Sequence, residues 1–282
     1  MANESFRFRR FNVKHDRCAM KVGTDGVLLG AWADAPLGRR ISVLDIGTGT
    51  GLVALMMAQR FAEARILGIE IDPSAAGQAA ENAADSPFRD RISIVQTPLQ
   101  GLFTGENTVD MDGNGTGDGS GTMAFSGKNP LFVAGKESDF SLENVDFSLK
   151  NAGFADRKFE AIVCNPPYFT ESLECPDEQR NLARHANTLD AHTLMACSAR
   201  LLAPGGTLSV IVPYGSRAVY DYEASISGLF SSRICTVSTK PSAPPKRILL
   251  AYTNTVPARL DTEQIVIGGD KYREMTQDFY LK

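Results

Sequence analysis

The run Ile41-Ser-Val-Leu-Asp-Ile46, followed at once by Gly47-Thr-Gly49-Thr-Gly51 and an apolar stretch from Leu52 to about Phe61, limits this chain more than any other feature. A short, β-branched, nearly continuous apolar run marks a strand buried on both faces. Glycines let the chain turn sharply at its end and leave the backbone open to a ligand. The helix behind them offers N–H groups with no internal partner. The alternation recurs downstream. Arg65-Ile-Leu-Gly-Ile-Glu70, Ile92-Ser-Ile-Val95 and Phe159-Glu-Ala-Ile-Val-Cys164 read as strands, and Pro73 suits the first turn of a helix running to about Ala84. A helix is expected over 190–203, with Leu194, Cys197, Leu201 and Leu202 on one face. Pro204-Gly-Gly206 stops it and turns the chain into a strand over 207–212. A helix near 216–230 and strands near 233–238 and 247–254 follow. Strands alternating with helical stretches predict βαβ units and a doubly wound α/β sheet.

The rhythm breaks once. Residues 101–150 hold nine of the chain's 25 glycines, many alternating with Asp, Asn, Ser and Thr over 110–122. Such a segment buries too little surface to offset its ordering entropy, so 101–157 reads as a flexible insertion in one loop of a single domain spanning 1–282. Asp110, Asp112 and Asp118 lack the spacing and terminal Glu of a calcium loop. No apolar run approaches the roughly 18 residues a membrane helix needs, and residues 1–10 show no apolar secretory core. Five scattered cysteines with no CxxC pattern argue against a disulfide scaffold or a zinc site and for the reducing cytoplasm; no metal is expected.

Two constellations carry chemistry. The first is Asp45 with Gly47, Gly49 and Gly51, joined by Glu70, which closes the next strand where a carboxylate bonds the hydroxyls of a cofactor ribose. The spacing is GxGxG, whereas the dinucleotide fingerprint is GxGxxG, and an acidic residue precedes it. A pyrophosphate is repelled by that carboxylate. A cationic cofactor such as S-adenosylmethionine, which carries a sulfonium and an ammonium and no phosphate, suits it.

The second is Asn165-Pro166-Pro167-Tyr168-Phe169, directly after a strand, at the edge where open α/β sheets bind ligands. It answers a particular chemical problem. The exocyclic amine of adenine is a poor nucleophile because its lone pair is delocalised into the ring. The Asn165 side-chain carbonyl and the Pro166 backbone carbonyl can accept its two N–H bonds and steer the nitrogen towards tetrahedral geometry. Two prolines stiffen the turn, so the acceptors are preorganised. Tyr168, with Phe169, offers a stacking face to a base. Amide nitrogens other than adenine's fit the same arrangement.

Together these motifs resemble the class I S-adenosylmethionine-dependent methyltransferases that act on amino groups. More closely, Asp16-Arg-Cys-Ala-Met-Lys-Val-Gly-Thr-Asp-Gly-Val-Leu-Leu-Gly-Ala-Trp32 and the NPPYF run, followed by Glu174-Cys175, Arg180 and Ala183-Arg184, are similar to the bacterial tRNA1(Val) adenine N6-methyltransferases. That resemblance covers nearly all the chain outside 101–157. It implies a Rossmann-like, mostly parallel seven-stranded sheet with helices on both faces, and a tRNA partner methylated on the adenine 3′ of the anticodon. It places Asp45, Gly47, Gly49 and Gly51 around the methionine part of the cofactor, Glu70 on the ribose and Ile71 against the adenine ring. Lys21, Thr24 and Asp25 lie beside the pocket, and Asn165, Pro166, Pro167 and Tyr168 hold the target base. The family usually has an acidic residue after the third strand; here Thr97-Pro98-Leu99 stands there, so Leu99 and backbone groups face that corner.

Substrate contacts are expected from Phe169, Arg180 and Arg184, and from Arg9, Arg10 and Lys14 in a basic, aromatic segment (residues 1–35) whose first 21 residues carry a local charge of +4. The total charge is −4, which at face value argues against a nucleic-acid partner. Residues 101–150 alone contribute −5, leaving +1 for the rest, so any RNA-binding charge must be local. Rival readings are a protein glutamine N5-methyltransferase, a DNA adenine N6-methyltransferase, a dehydrogenase, and a non-catalytic RNA- or cofactor-binding module. A glycine loop only 45 residues in, where the glutamine enzymes usually carry a helical N-terminal domain, the lack of an evident separate recognition domain, the glycine spacing and the intact NPPY tetrad count against them in turn.

Overall fold

In the computed structural model, which describes residues 4–103, 131–133, 157–167 and 189–281, a hairpin of β1 (Ser5–Arg7) and β2 (Asn12–Lys14) leads into α1 (Thr24–Trp32). The alternating part follows: β3 (Ile41–Ile46), α2 (Leu52–Arg60), β4 (Ala64–Glu70), α3 (Pro73–Ala84) and β5 (Ile92–Gln96). After β6 (Leu131–Val133) and β7 (Phe159–Cys164) come α4 (Ala191–Leu201), β8 (Leu202–Pro213) and α5 (Arg217–Ile226). The chain then forms β9 (Phe230–Ser238), β10 (Arg247–Thr253), β11 (Asp261–Val266) and α6 (Asp270–Thr276).

One sheet runs in the order β11-β9-β10-β8-β7-β3-β4-β5-β6. Its central strands β8, β7, β3, β4 and β5 are parallel, and β10 runs against both neighbours. All seven sequence-predicted strands are present. Two further edge strands, β6 and β11, bring the sheet to nine among the described residues. The β11 strand escapes a sequence reading because only Ile265 of its six residues is buried; its hold is polar. Glu263 accepts the Trp32 indole N–H and the Arg233 guanidinium, and pairs with Lys271.

The pleat divides the core into two layers. Val43, Ala161 and Val163 face α1, α2, α3 and the hairpin, while Leu44, Ile162 and Cys164 face α4 and α5. Asp72 caps α3 by accepting the backbone N–H groups of Ser74 (2.7 Å) and Ala75 (2.9 Å), with Pro73 at the first position. The 190–206 region departs from expectation. Asp190 caps α4, but β8 starts at Leu202, and Pro204-Gly-Gly206 forms a bulge in that strand, with Gly205 at φ +72°. Among the described residues, no helix is long and apolar enough to cross a membrane.

The topology fixes the site. From β3 the chain moves one way to β4 and β5, then crosses back to β7 on the other side of β3. Ile46 is in register with Ile69 and Cys164, so the residues that follow these three strands emerge together at the carboxyl edge, at the switch point of the sheet.

Candidate active site

A cleft of about 520 Å³ opens at that switch point. Gly47, Gly49, Glu70, Ile71, Leu99, Asn165, Pro166 and Pro167, all singled out from sequence, line it. Gly47 and Gly49 sit at φ +65° and +55°, the left-handed region that favours glycine, and a Cβ on Gly47 would project into open space. The backbone is therefore bare along one wall. Gly51 has a different task. At φ +79° it caps the start of α2 in the left-handed conformation that glycine adopts at low cost, and a Cβ there would make only ordinary contact with Ala79 at 3.4 Å.

Asp45 does not line the cleft. It is buried beneath the turn, where Oδ2 accepts the Thr48 hydroxyl at 2.6 Å and the Ala54 N–H at 3.1 Å. Burial raises its carboxyl from the ordinary 3.8 to about 7; the two hydrogen bonds oppose that rise and the charge of Glu70 adds to it. Its place is that of a brace for the glycine turn.

Glu70 faces the same turn from the next strand. Its Oε2 accepts the Gly49 N–H at 2.9 Å, and Oε1 accepts those of Ile71 (2.9 Å) and Asp72 (3.1 Å). Three backbone donors aim one carboxylate at the cleft and concentrate negative charge there. Beside it, Ile71 is 47% exposed, a large apolar side chain left facing the opening. The third-strand corner is closed by Thr97, Pro98, Leu99 and Gln100; the Thr97 N–H reaches the Glu70 carbonyl at 2.9 Å, and among the described residues no carboxylate lines that corner.

Lys21, Thr24 and Asp25 lie outside the lining. Asp25, in the first turn of α1, is bound by the Arg247 guanidinium at 2.8 Å. Instead Cys18, Ala19 and Met20, just before them, form a wall, as does Cys164. Cys164 is fully buried in the core, as expected from sequence, and its position at the carboxyl end of β7 also brings it to the cleft floor. Burial pushes the Cys18 thiol up to about 11, helped by the charges of Glu70 and Asp72. Burial likewise raises Cys164. Both stay protonated near neutrality, so neither serves as a nucleophile.

Arg9, Arg10 and Lys14 are not brought to the cleft. Arg9 and Arg10 border a depression with Gln59, Arg60 and Phe61, where α2 ends at the amino edge of the sheet. Arg9 donates to the Gln277 carbonyl, Arg10 lies over the Phe88 ring, and Lys14 pairs with Asp85 at 2.9 Å. The aromatics between them are core: Phe8 stacks on Phe11 at 4.8 Å and on Tyr280 at 6.0 Å, so they offer no face to a base. Tyr168, Phe169, Arg180 and Arg184 lie outside the described residues.

The cleft suits a nucleoside cofactor with positive charge. Its volume matches small-molecule sites in general. Apolar Ile71 and Leu99 flank a carboxylate, and the bare glycine turn admits close approach; a phosphate would meet Glu70 and Asp72.

Comparison with known proteins agrees. Residues 43–111 match the family model described as "Methyltransferase domain". A solved structure, described as a predicted O-methyltransferase from Agrobacterium tumefaciens, shares the fold with TM-score 0.55 at 18% identity, over 90% of this chain and 96% of its own. A Bacteroides fragilis protein named tRNA1(Val) (adenine(37)-N6)-methyltransferase is 40% identical, with 100% of both chains covered. Relatives of the same name from Porphyromonas gingivalis (41%, covering 99% of this chain and 96% of that one) and Mannheimia succiniciproducens (34%, covering 98% and 94%) extend the likeness. Full-length identity at this level, on a fold with this switch-point cleft, means that the chain belongs to the tRNA1(Val) (adenine(37)-N6)-methyltransferase family.

Proposed function

We infer that this protein transfers a methyl group from S-adenosylmethionine to the N6 amine of an adenine in a tRNA anticodon loop, the adenine 3′ of the anticodon in tRNA1(Val). The observation that carries this reading is the meeting of the Glu70–glycine-turn wall and the Asn165-Pro166-Pro167 wall across one cleft. The relatives' names favour a tRNA substrate over the protein-glutamine and DNA-adenine alternatives.

S-adenosylmethionine, when bound, supplies an electrophilic methyl group on a sulfonium. Glu70 accepts hydroxyl hydrogens of its ribose, Ile71 and Leu99 cover its adenine, and Gly47 and Gly49 leave room for the amino-acid part. Asp45 acts at one remove, by holding Thr48 and the start of α2. The Asn165 side-chain carbonyl and the Pro166 carbonyl accept the two hydrogens of the target amine and turn its lone pair towards the methyl group. Preorganised acceptors and proximity supply most of the acceleration. No general base is required, because the methylated amine is acidic enough to lose its proton to water. A loop base is already unpaired, so extruding it costs less than from a duplex. Tyr168 and Phe169 stack on the base, and Arg180 and Arg184 contact neighbouring phosphates. Arg9, Arg10 and Lys14, away from the cleft, do not touch the target nucleotide.

The test is methyl transfer to total tRNA from a strain lacking this protein, with mapping of the modified nucleoside. N6-methyladenosine in a valine tRNA is expected; label in protein, or none in adenosine, overturns the reading.

A further inference from the structure

The basic N-terminal hairpin sits at the wrong edge of the sheet to guide a base into the cleft, so the positive charge beside the target must come from elsewhere. Lys240, Lys246 and Arg247 are distant in sequence from every motif described above. The fold brings them to the catalytic edge because β10 runs antiparallel to both β8 and β9. The β9–β10 loop therefore projects where β7 delivers Asn165. Arg247 is in register with Pro213, the last residue of β8, and the next residue is Tyr214.

Tyr214 is a large aromatic left 42% exposed. Its backbone N–H donates to the Lys246 carbonyl at 3.1 Å, which ties the ring's position to the lysine loop. The loop itself is stiff. It holds Pro241, Pro244 and Pro245, the Ala243 N–H bonds the Lys240 carbonyl at 3.1 Å, and the Lys246 N–H bonds the Val237 carbonyl at 2.9 Å. Lys240 and Lys246 are exposed and make no ion pair among the described residues, whereas Lys14 and Lys271 are both paired with carboxylates. Asp25, the carboxylate beside Arg247, is occupied by that guanidinium. Cys164 is in register with Val210 on the neighbouring strand. With about 3.3 Å per residue along a strand and about 4.8 Å between strands, the Tyr214 backbone lies roughly 11 Å from that of Asn165.

We propose that Tyr214, Lys240 and Lys246 form a platform for the RNA strand beside the target adenine: the ring stacks on an adjacent base and the two ammonium groups take the phosphates that flank it. An exposed aromatic at one end of a row of exposed lysines, in the strand order β8-β10-β9, is an arrangement that binds single-stranded nucleic acid, since stacking tolerates any base and the backbone supplies the charge. A preordered loop loses little freedom on binding. The platform rests on the functional reading above and adds to it the residues that set substrate register.

The experiment uses the full chain in four forms: unaltered, Tyr214→Ala, Tyr214→Phe, and Lys240→Ala with Lys246→Ala. Steady-state methylation of tRNA is measured across salt concentrations, with S-adenosylmethionine affinity by calorimetry as a control for folding. Tyr214→Ala is expected to raise the KM for tRNA at least fivefold with kcat changed less than twofold, and Tyr214→Phe to restore it, since the phenyl ring still stacks. The double lysine variant is expected to raise KM and to reduce the slope of log affinity against log salt by about one per lysine. Cofactor affinity stays unchanged throughout. Tyr214→Ala and the double variant with the KM and salt slope of the unaltered chain overturn the platform while leaving the functional reading intact. Failure of the unaltered chain to methylate tRNA defeats that reading and the platform with it.

Discussion

The Glu70 carboxylate accepts the Gly49 backbone N–H at 2.9 Å, joining the acidic end of one strand to the glycine turn of its neighbour. The contact ties the two sides of one cleft wall together and orients both oxygens, because the other is held by Ile71 and Asp72. Each position along this wall answers to a different physical demand, and each can be tested alone.

Replacing Glu70 with Gln keeps the size, removes the charge and leaves one oxygen to accept where two now do. Hydrogen bonds to charged groups contribute about 1.5–3 kcal/mol, so S-adenosylmethionine affinity is expected to fall roughly 10- to 150-fold in calorimetry. An unchanged Kd would remove Glu70 from the cofactor site.

Asn165→Ala is expected to act on chemistry alone. Losing a preorganised electrostatic contact typically costs about 10²–10³ in kcat. Methyl transfer should fall by at least about 10², while cofactor affinity holds within twofold. Turnover close to that of the unaltered enzyme would sink the proposed mechanism.

Asp45 makes stability depend on pH. Its carboxyl is raised from 3.8 to about 7, so between those values the folded state binds more protons than the unfolded chain. Stability from the protonated form is fully present below about pH 4 and is lost as pH rises through 7. Asp45→Asn cannot titrate. In urea unfolding, the unaltered protein should therefore lose stability relative to Asp45→Asn between about pH 4 and 7 and level off above that, and a difference independent of pH would refute the assignment.

Gly30→Ala probes packing between α1 and α2. A Cβ there would lie 2.8 Å from the Met56 Cβ and 2.7 Å from its sulfur, in a fully buried contact. Overpacking of this kind costs about 1–3 kcal/mol, which should lower the Tm by several degrees in calorimetry. The opposite sign, a stabilised variant, would mean the two helices separate easily.

Much of the architecture was legible because it is local. Pro73 and Asp72 mark the start of α3, and the glycines after Ile46 mark the turn, through backbone preferences that neighbours do not alter. The strands Ile41–Ile46 and Phe159–Cys164 declare themselves by being apolar on both faces. The edge strand β11 does not, since its anchor is one glutamate meeting Trp32, 231 positions away.

The sequence by itself determined the α/β alternation, the glycine turn, the acidic residue at the end of β4 and the Asn-Pro-Pro turn after β7, for each is a short-range pattern with a physical cause. Only the tertiary structure decided what those residues face. Asp45, expected at the cofactor, is turned inward because two donors, Thr48 and Ala54, wait beneath the turn. The basic hairpin is held at the amino edge because Phe8 and Phe11 bury themselves against Phe88 and Tyr280. Tyr214 reaches the catalytic edge through strand order and register, and Cys18 and Met20 through a loop that Gln78 of α3 holds by Asp16 and Arg17, contacts too far apart in sequence for any local pattern to record.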